Sequence, residues 1–224
     1  MFGSVVFSFM ATIFEDYLVA ADAAAGLLAS AEVAGRWAGP SACEGFTVGG
    51  LAAHLGWQVE SARWAVESER PAAGAVVTDL TAHYALAAWI GTGLESEANV
   101  GIRDRGEQRA EVGPVETVRS VREAREHLAE RFASLTPDEP VAVPWVEGRV
   151  LTVEDLLTTR LLELLIHADD LAVSVDVPTP EFPESANARV IGLLTRLSVR
   201  VNGPLAVLRA LSRSERAPKS VSAF

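Results

Sequence analysis

Cysteine is nearly absent: Cys43 is the only one in 224 residues. No intramolecular disulfide can form, and cysteine-rich zinc folds are excluded. A reducing compartment suits such a chain, so a cytoplasmic location is expected. Positive charge is also scarce. Nineteen Lys and Arg stand against thirty Asp and Glu, a net charge of −11. A nucleic-acid partner wants a basic face, and none is expected. No apolar run reaches the roughly 20 residues of a membrane span, so no membrane partner is expected either. There is no internal repeat and no low-complexity tract beyond Ala richness. The segment Met1–Met10 is apolar but has no basic residues, and Glu15 and Asp16 follow soon after. It reads as an extension or an alternative start upstream of Met10, not as a signal peptide.

What is present is a globular composition. The chain is 49% hydrophobic and 22% charged, enough to bury a sizeable core as one domain or a domain with a small appendage. Gly and Pro punctuate it into helical stretches. A first helix is expected over Ala11–Ala34 and a second from the cap Thr47 to Glu69. A third is expected over Thr78–Leu94. Asn99–Pro114 is polar and Gly-containing and reads as a loop. A fourth helix is expected over Val115–Leu135, with Val118, Val121, Leu128 and Phe132 inward and His127 on the surface. Pro137–Val150 reads as a connection in which Val141, Val143 and Trp145 allow a short extended piece. A helical segment over Glu184–Val201 and a short helix through Leu211 come last. Residues 212–224 read as polar and loose until their end. The expected fold is all-α: an antiparallel four-helix bundle over residues 10–177, with a C-terminal helical extension and tail over 178–224.

The segment between the fourth and last helices, Leu151–Val177, organises the rest. Thr152 can cap it with Asp155 three residues on, and it meets no Gly or Pro before Pro178. Arg160, Glu163, His167 and Asp170 recur at steps of three, four and three, which puts all four on one helical face. The intervening residues 161, 162, 164, 165 and 166 are all Leu or Ile. Ionisable groups in such surroundings are costly unless paired or bound to a metal. Glu163 and His167, at i and i+4, can share a divalent ion, though the same spacing also serves a hydrogen-bonded face. A catalytic zinc usually takes three protein ligands and keeps an open position. His54, alone in the apolar run Gly-Gly-Leu-Ala-Ala-His54-Leu, is the best third ligand. Taken singly, it also fits a core histidine bonded to a carbonyl. His83 is the weaker rival.

Two stretches carry a family resemblance. Trp37-Ala-Gly-Pro-Ser-Ala-Cys43-Glu-Gly-Phe-Thr47-Val-Gly-Gly-Leu-Ala-Ala-His54-Leu resembles the first motif of the mycothiol-dependent maleylpyruvate isomerase N-terminal domain, in the DinB-like superfamily. Arg160-x-x-Glu163-x-x-x-His167-x-x-Asp170-Leu resembles the second. The resemblance covers about Met10 to Asp176. It implies a DinB-like four-helix bundle with a divalent metal held by His54, Glu163 and His167. Zinc is the first choice, and nickel, iron and manganese accept the same donors. It also implies work on or with a low-molecular-weight thiol, mycothiol in actinobacteria; the Ala-, Arg- and Gly-rich composition is compatible with that source. The founding isomerase carries a separate C-terminal domain that contributes a catalytic arginine. Fewer than fifty residues follow Asp176 here. The resemblance therefore implies the metal site and not that enzyme's own reaction.

Two functions follow. One is a thiol-dependent transferase or isomerase, in which a metal-activated thiolate attacks a small electrophile. Arg160 would pair with Glu163 or bind a substrate carboxylate, a task Arg196 and Arg200 can also perform. Asp170 would orient a histidine ligand. Trp57 and Trp64 read as core or pocket wall, core being the first choice, and Cys43 as a loop thiol. The other is a metal-dependent small-molecule binding protein without turnover. Either is expected as a monomer or homodimer.

Overall fold

The computed structural model describes residues 12–224. The reading of Met1–Met10 as an extension lies outside them. Thr12 opens helix α1 (Ile13–Leu28) with a capping box: its hydroxyl accepts from Glu15 N–H, and the Glu15 carboxylate accepts from Thr12 N–H. The first helix does not run on to Ala34. Ser30 accepts from Val33 N–H and starts a separate short helix, α2 (Ala31–Gly35). A serine side chain that bonds the local backbone favours such a restart. Thr47 caps α3 (Val48–Glu67) as expected.

The next stretch departs from expectation twice. Only α4 (Leu80–Ala85) of the expected third helix is helical. The turns that follow seat Trp89 against Tyr84 and Phe224, so tertiary packing overrides local helix propensity. The expected loop is instead α5 (Glu97–Ala110), capped by Ser96. It shows no apolar stripe because it packs through glycine. A Cβ on Gly106 would lie 2.9 Å from the Gly50 carbonyl oxygen, so α5 and α3 meet backbone to backbone there. Glu107 secures the contact by accepting from both N–H and hydroxyl of Thr47 at 2.8 Å.

Helix α6 (Pro114–Phe132) begins with proline, which needs no N–H partner in the first turn. His127 lies on its exposed side. The connection after it forms a small hairpin: β1 (Pro140–Ala142) pairs antiparallel with β2 (Val150–Thr152), Val141 opposite Leu151. Thr152 ends β2 and caps the central helix α7 (Val153–Val175). Two more helices follow, α8 (Glu184–Asn202) and α9 (Pro204–Ser212).

α1 and α3 each pack against both α6 and α7, giving the order α1, α6, α3, α7 around the bundle. Leu51 and Leu55 from α3, Leu128 from α6, and Leu157, Leu161 and Leu164 from α7 are fully buried between them. Each contributes about 1.5–3 kcal/mol by leaving water. Helix α8 is tied on by charge. Arg189 reaches the buried Asp16 carboxylate at 3.3 Å and Glu154 at 2.6 Å. Residues 212–220 of the tail are exposed, and only its end is pinned, as expected. The Val221 and Ser222 carbonyls accept from Ser198 and Asn202, and Ala223 is buried. Among the described residues, no helix is long and apolar enough to cross a membrane.

Candidate metal centre

Two helices build the site. On α7 the buried leucines take the faces toward the bundle and leave Glu163 and His167 one turn apart on the face toward α3. On α3, His54 occupies the matching height. Nε2 of His167 lies 3.3 Å from Glu163 Oε2, and Nε2 of His54 lies 3.8 Å from the same oxygen. The two imidazoles meet edge to face, 4.9 Å between centroids. All three donor atoms fall within 4.8 Å of one another.

The donor set fits a divalent ion. Bonds of about 2.0–2.2 Å place tetrahedral donors roughly 3.4 Å apart, close to the spacing present. The charges fit as well. Burial and the neighbouring His167 and Arg160 cations outweigh the pull of the Glu163 carboxylate and hold His54 below the ordinary histidine value, so it keeps the lone pair a metal needs. Burial would raise Glu163, but the His167 and His54 rings beside it, with the Arg160 charge, hold its carboxyl well below the usual range. Burial opposes charge on His167 too. Hydrogen bonds to Asp170 and Glu163 overcome it and raise its pKa to about 9. The metal-free site is thus a carboxylate that has drawn a proton onto a histidine, a place built for positive charge.

Asp170 Oδ2 lies 3.0 Å from His167 Nδ1, the orienting contact that metal-bound histidines usually have. Arg160 does not pair with Glu163. It donates instead to Gln58 Oε1 at 2.6 Å and Thr159 Oγ1 at 3.1 Å, and its guanidinium stands 5.3 Å from the Trp145 ring centroid. Arg196 and Arg200 sit on the exposed side of α8, outside the cluster. His83 also stays outside. It contacts Arg149 at 3.1 Å, and burial with the Arg149 charge lowers its pKa to about 4. Trp64 is not core: it is 45% exposed and joins Trp57 and Trp145 in an aromatic cluster.

Three residues of the site carry no role in the sequence reading. Gln58, four residues after His54, is buried. Its amide nitrogen donates to the His54 carbonyl at 2.9 Å and lies 3.3 Å from His54 Nε2. That i,i+4 spacing was the available signal. Tyr84 is buried, and its hydroxyl has no hydrogen-bond partner among the described residues. Burial and the Glu163 charge push its pKa up. Cys43 adjoins His167 and Asp170, and burial followed by the Asp170 charge raises its thiol pKa.

A family profile described as the mycothiol maleylpyruvate isomerase N-terminal domain matches residues 18–172. The chain belongs to that family. The matched span holds His54, Glu163, His167 and Asp170, and the helical architecture is that of the DinB-like superfamily to which the mycothiol maleylpyruvate isomerase N-terminal domain belongs. The family is metal-binding and mycothiol-related. No curated protein and no solved structure matches the chain.

Proposed function

We propose that the chain is a metal-dependent enzyme that uses a low-molecular-weight thiol such as mycothiol against a small electrophile. The observation that supports it is the convergence of His54, Glu163 and His167 from two helices. Their side chains keep 14–18% exposure, so the cluster is not sealed from solvent. Zinc is the ion proposed, since mixed nitrogen and oxygen donors at tetrahedral spacing suit it. Bound there, the metal would supply a Lewis acid whose open position lowers the pKa of the thiol.

The protein's own residues do the rest. Asp170 holds the His167 ring so that Nε2 faces Glu163. Leu161, Leu162 and Leu164 keep water from the other sides of α7. Arg160, fixed by Gln58 and set against Trp145, offers a guanidinium to an anionic group on the electrophile. Attack by the thiolate sulfur forms an S–C bond. If a leaving group departs with its electron pair, the outcome is S-transfer. If sulfur adds to a conjugated double bond, rotation and elimination return the thiol and the cis–trans isomer. The setting proposed is the cytoplasm, with no membrane or nucleic-acid partner, the chain acting as a monomer or homodimer.

The test is incubation of the zinc-loaded protein with mycothiol and a panel of epoxides, activated halides and conjugated diacids. Thiol consumption or isomerisation that disappears in Glu163→Gln supports the reading. Stoichiometric metal without turnover of any member would make this a binding protein. Absence of retained metal after dialysis would remove the site itself.

A further inference from the structure

We propose that Cys43, His167 and Asp170 form a second metal site, joined to the first through the His167 ring. The Cys43 sulfur, a His167 ring nitrogen and an Asp170 carboxylate oxygen lie within 4.8 Å of one another. This group shares only His167 with the first. The two carboxylates address different nitrogens: Glu163 sits 3.3 Å from Nε2 and Asp170 3.0 Å from Nδ1. One imidazole therefore offers a donor to each side. The inference rests on the reading of Nε2 as a ligand of the first ion.

Cys43 is held in place by a built loop. Ser41 Oγ donates to the Cys43 carbonyl at 2.9 Å and accepts from its N–H at 3.2 Å. Ala42 N–H donates to Ser174 Oγ at 2.8 Å, and that hydroxyl donates to the Asp170 carbonyl at 2.6 Å. The loop is thus docked on α7 at the turn that carries Asp170. With Phe46 following it and packed 5.6 Å from the His54 ring, the loop closes one flank of the metal centre.

A thiolate, an imidazole and a carboxylate suit a borderline divalent ion, zinc or cobalt. Binding releases two protons to solvent, one from the Cys43 thiol and one from His167 Nδ1. The completed pair balances in charge. Glu163, Asp170, the Cys43 thiolate and the bridging imidazolate carry four negative charges against two divalent cations. Asp170 then has two roles: it orients His167 when one ion is bound and ligates when two are.

The test is titration of the metal-free full chain with cobalt(II), following visible absorption and the thiolate-to-cobalt charge-transfer band. Two equivalents are expected, the band rising with the second. Cys43→Ser should stop at one equivalent and lose the band. Glu163→Gln should also stop at one, with the band present from the start. A wild type that saturates at one equivalent without the band overturns the second site and leaves the first standing. One equivalent whose band is lost in Cys43→Ser, and whose binding is lost in Glu163→Gln, also overturns it, because Cys43 is then a fourth ligand of the first ion. One equivalent whose band survives Glu163→Gln upholds the Cys43 site and removes the first. Zinc content after dialysis gives the same stoichiometries independently of colour.

Discussion

Arg160 and Gln58 are hydrogen-bonded at 2.6 Å across the α3–α7 interface, and the same amide reaches His54 on its other side. Gln58 is 1% exposed, so it cannot exchange these partners for water. Replacing it with Leu leaves Arg160 Nη1 without its acceptor. The expected loss is about 1–3 kcal/mol in urea unfolding. Gln58→Leu and Arg160→Met together should cost less than the two losses added, since each removes the same contact. Strict additivity would show that the contact contributes nothing.

Asp170→Ala should weaken metal binding by about 10–100-fold, the usual effect of losing an outer hydrogen bond to a histidine ligand. Competition against a chromogenic chelator measures it, with helix content checked by circular dichroism. Unchanged affinity would mean that packing alone orients His167.

His167 sets the pH response. Its pKa is raised to about 9 in the metal-free protein, above the ordinary value of about 6.5. The imidazolium therefore stabilises the fold fully below about pH 6.5, and that stability is lost as pH rises through 9. The unfolding free energy of the metal-free protein should fall over this window, by on the order of 2–3 kcal/mol, and the slope should vanish in His167→Gln. Metal must displace the same proton, so affinity should drop about tenfold per pH unit below 9. A flat affinity profile would contradict a protonated His167.

Gly106→Ala should cost about 1–3 kcal/mol, because the new methyl meets the Gly50 carbonyl at 2.9 Å and the Phe46 ring at 2.6 Å. Gly101→Ala lies in the same helix but meets only the flexible end of Arg105, at 3.2 Å. It should be neutral, or stabilise by up to about 1 kcal/mol through helix propensity. Equal effects at the two positions would argue against close helix contact at Gly106.

These glycines also explain which parts of the fold sequence patterns reveal. Thr47 and Thr152 cap α3 and α7 as their positions suggest, because caps are local chemistry. His54, Glu163 and His167 stand out as lone polar groups among leucines and alanines, and the fold brings them together. Helix α5 is hidden because its contact face is glycine, which leaves no apolar stripe. The hairpin is half legible: β1 falls where Val141, Val143 and Trp145 allow an extended piece, whereas β2 is three residues long and runs straight into the Thr152 cap. Cys43 gives no sign of its place beside Asp170. That proximity depends on Ala42 bonding to Ser174, a contact between residues 132 apart in the chain.

Trp57, Trp64 and Trp145 lie 5.9–6.3 Å from one another, and they are three of the five tryptophans in the chain. At that separation, excitation absorbed by one is shared among all three. Arg109 stands 4.0 Å over the Trp57 ring and Arg160 stands 5.3 Å from that of Trp145, so the shared excited state sits in the field of two cations. An anion that draws Arg160 away from Trp145 alters emission from the whole trio at once. The molecule thereby carries its own fluorescent reporter at the edge of its metal centre, readable without any attached label.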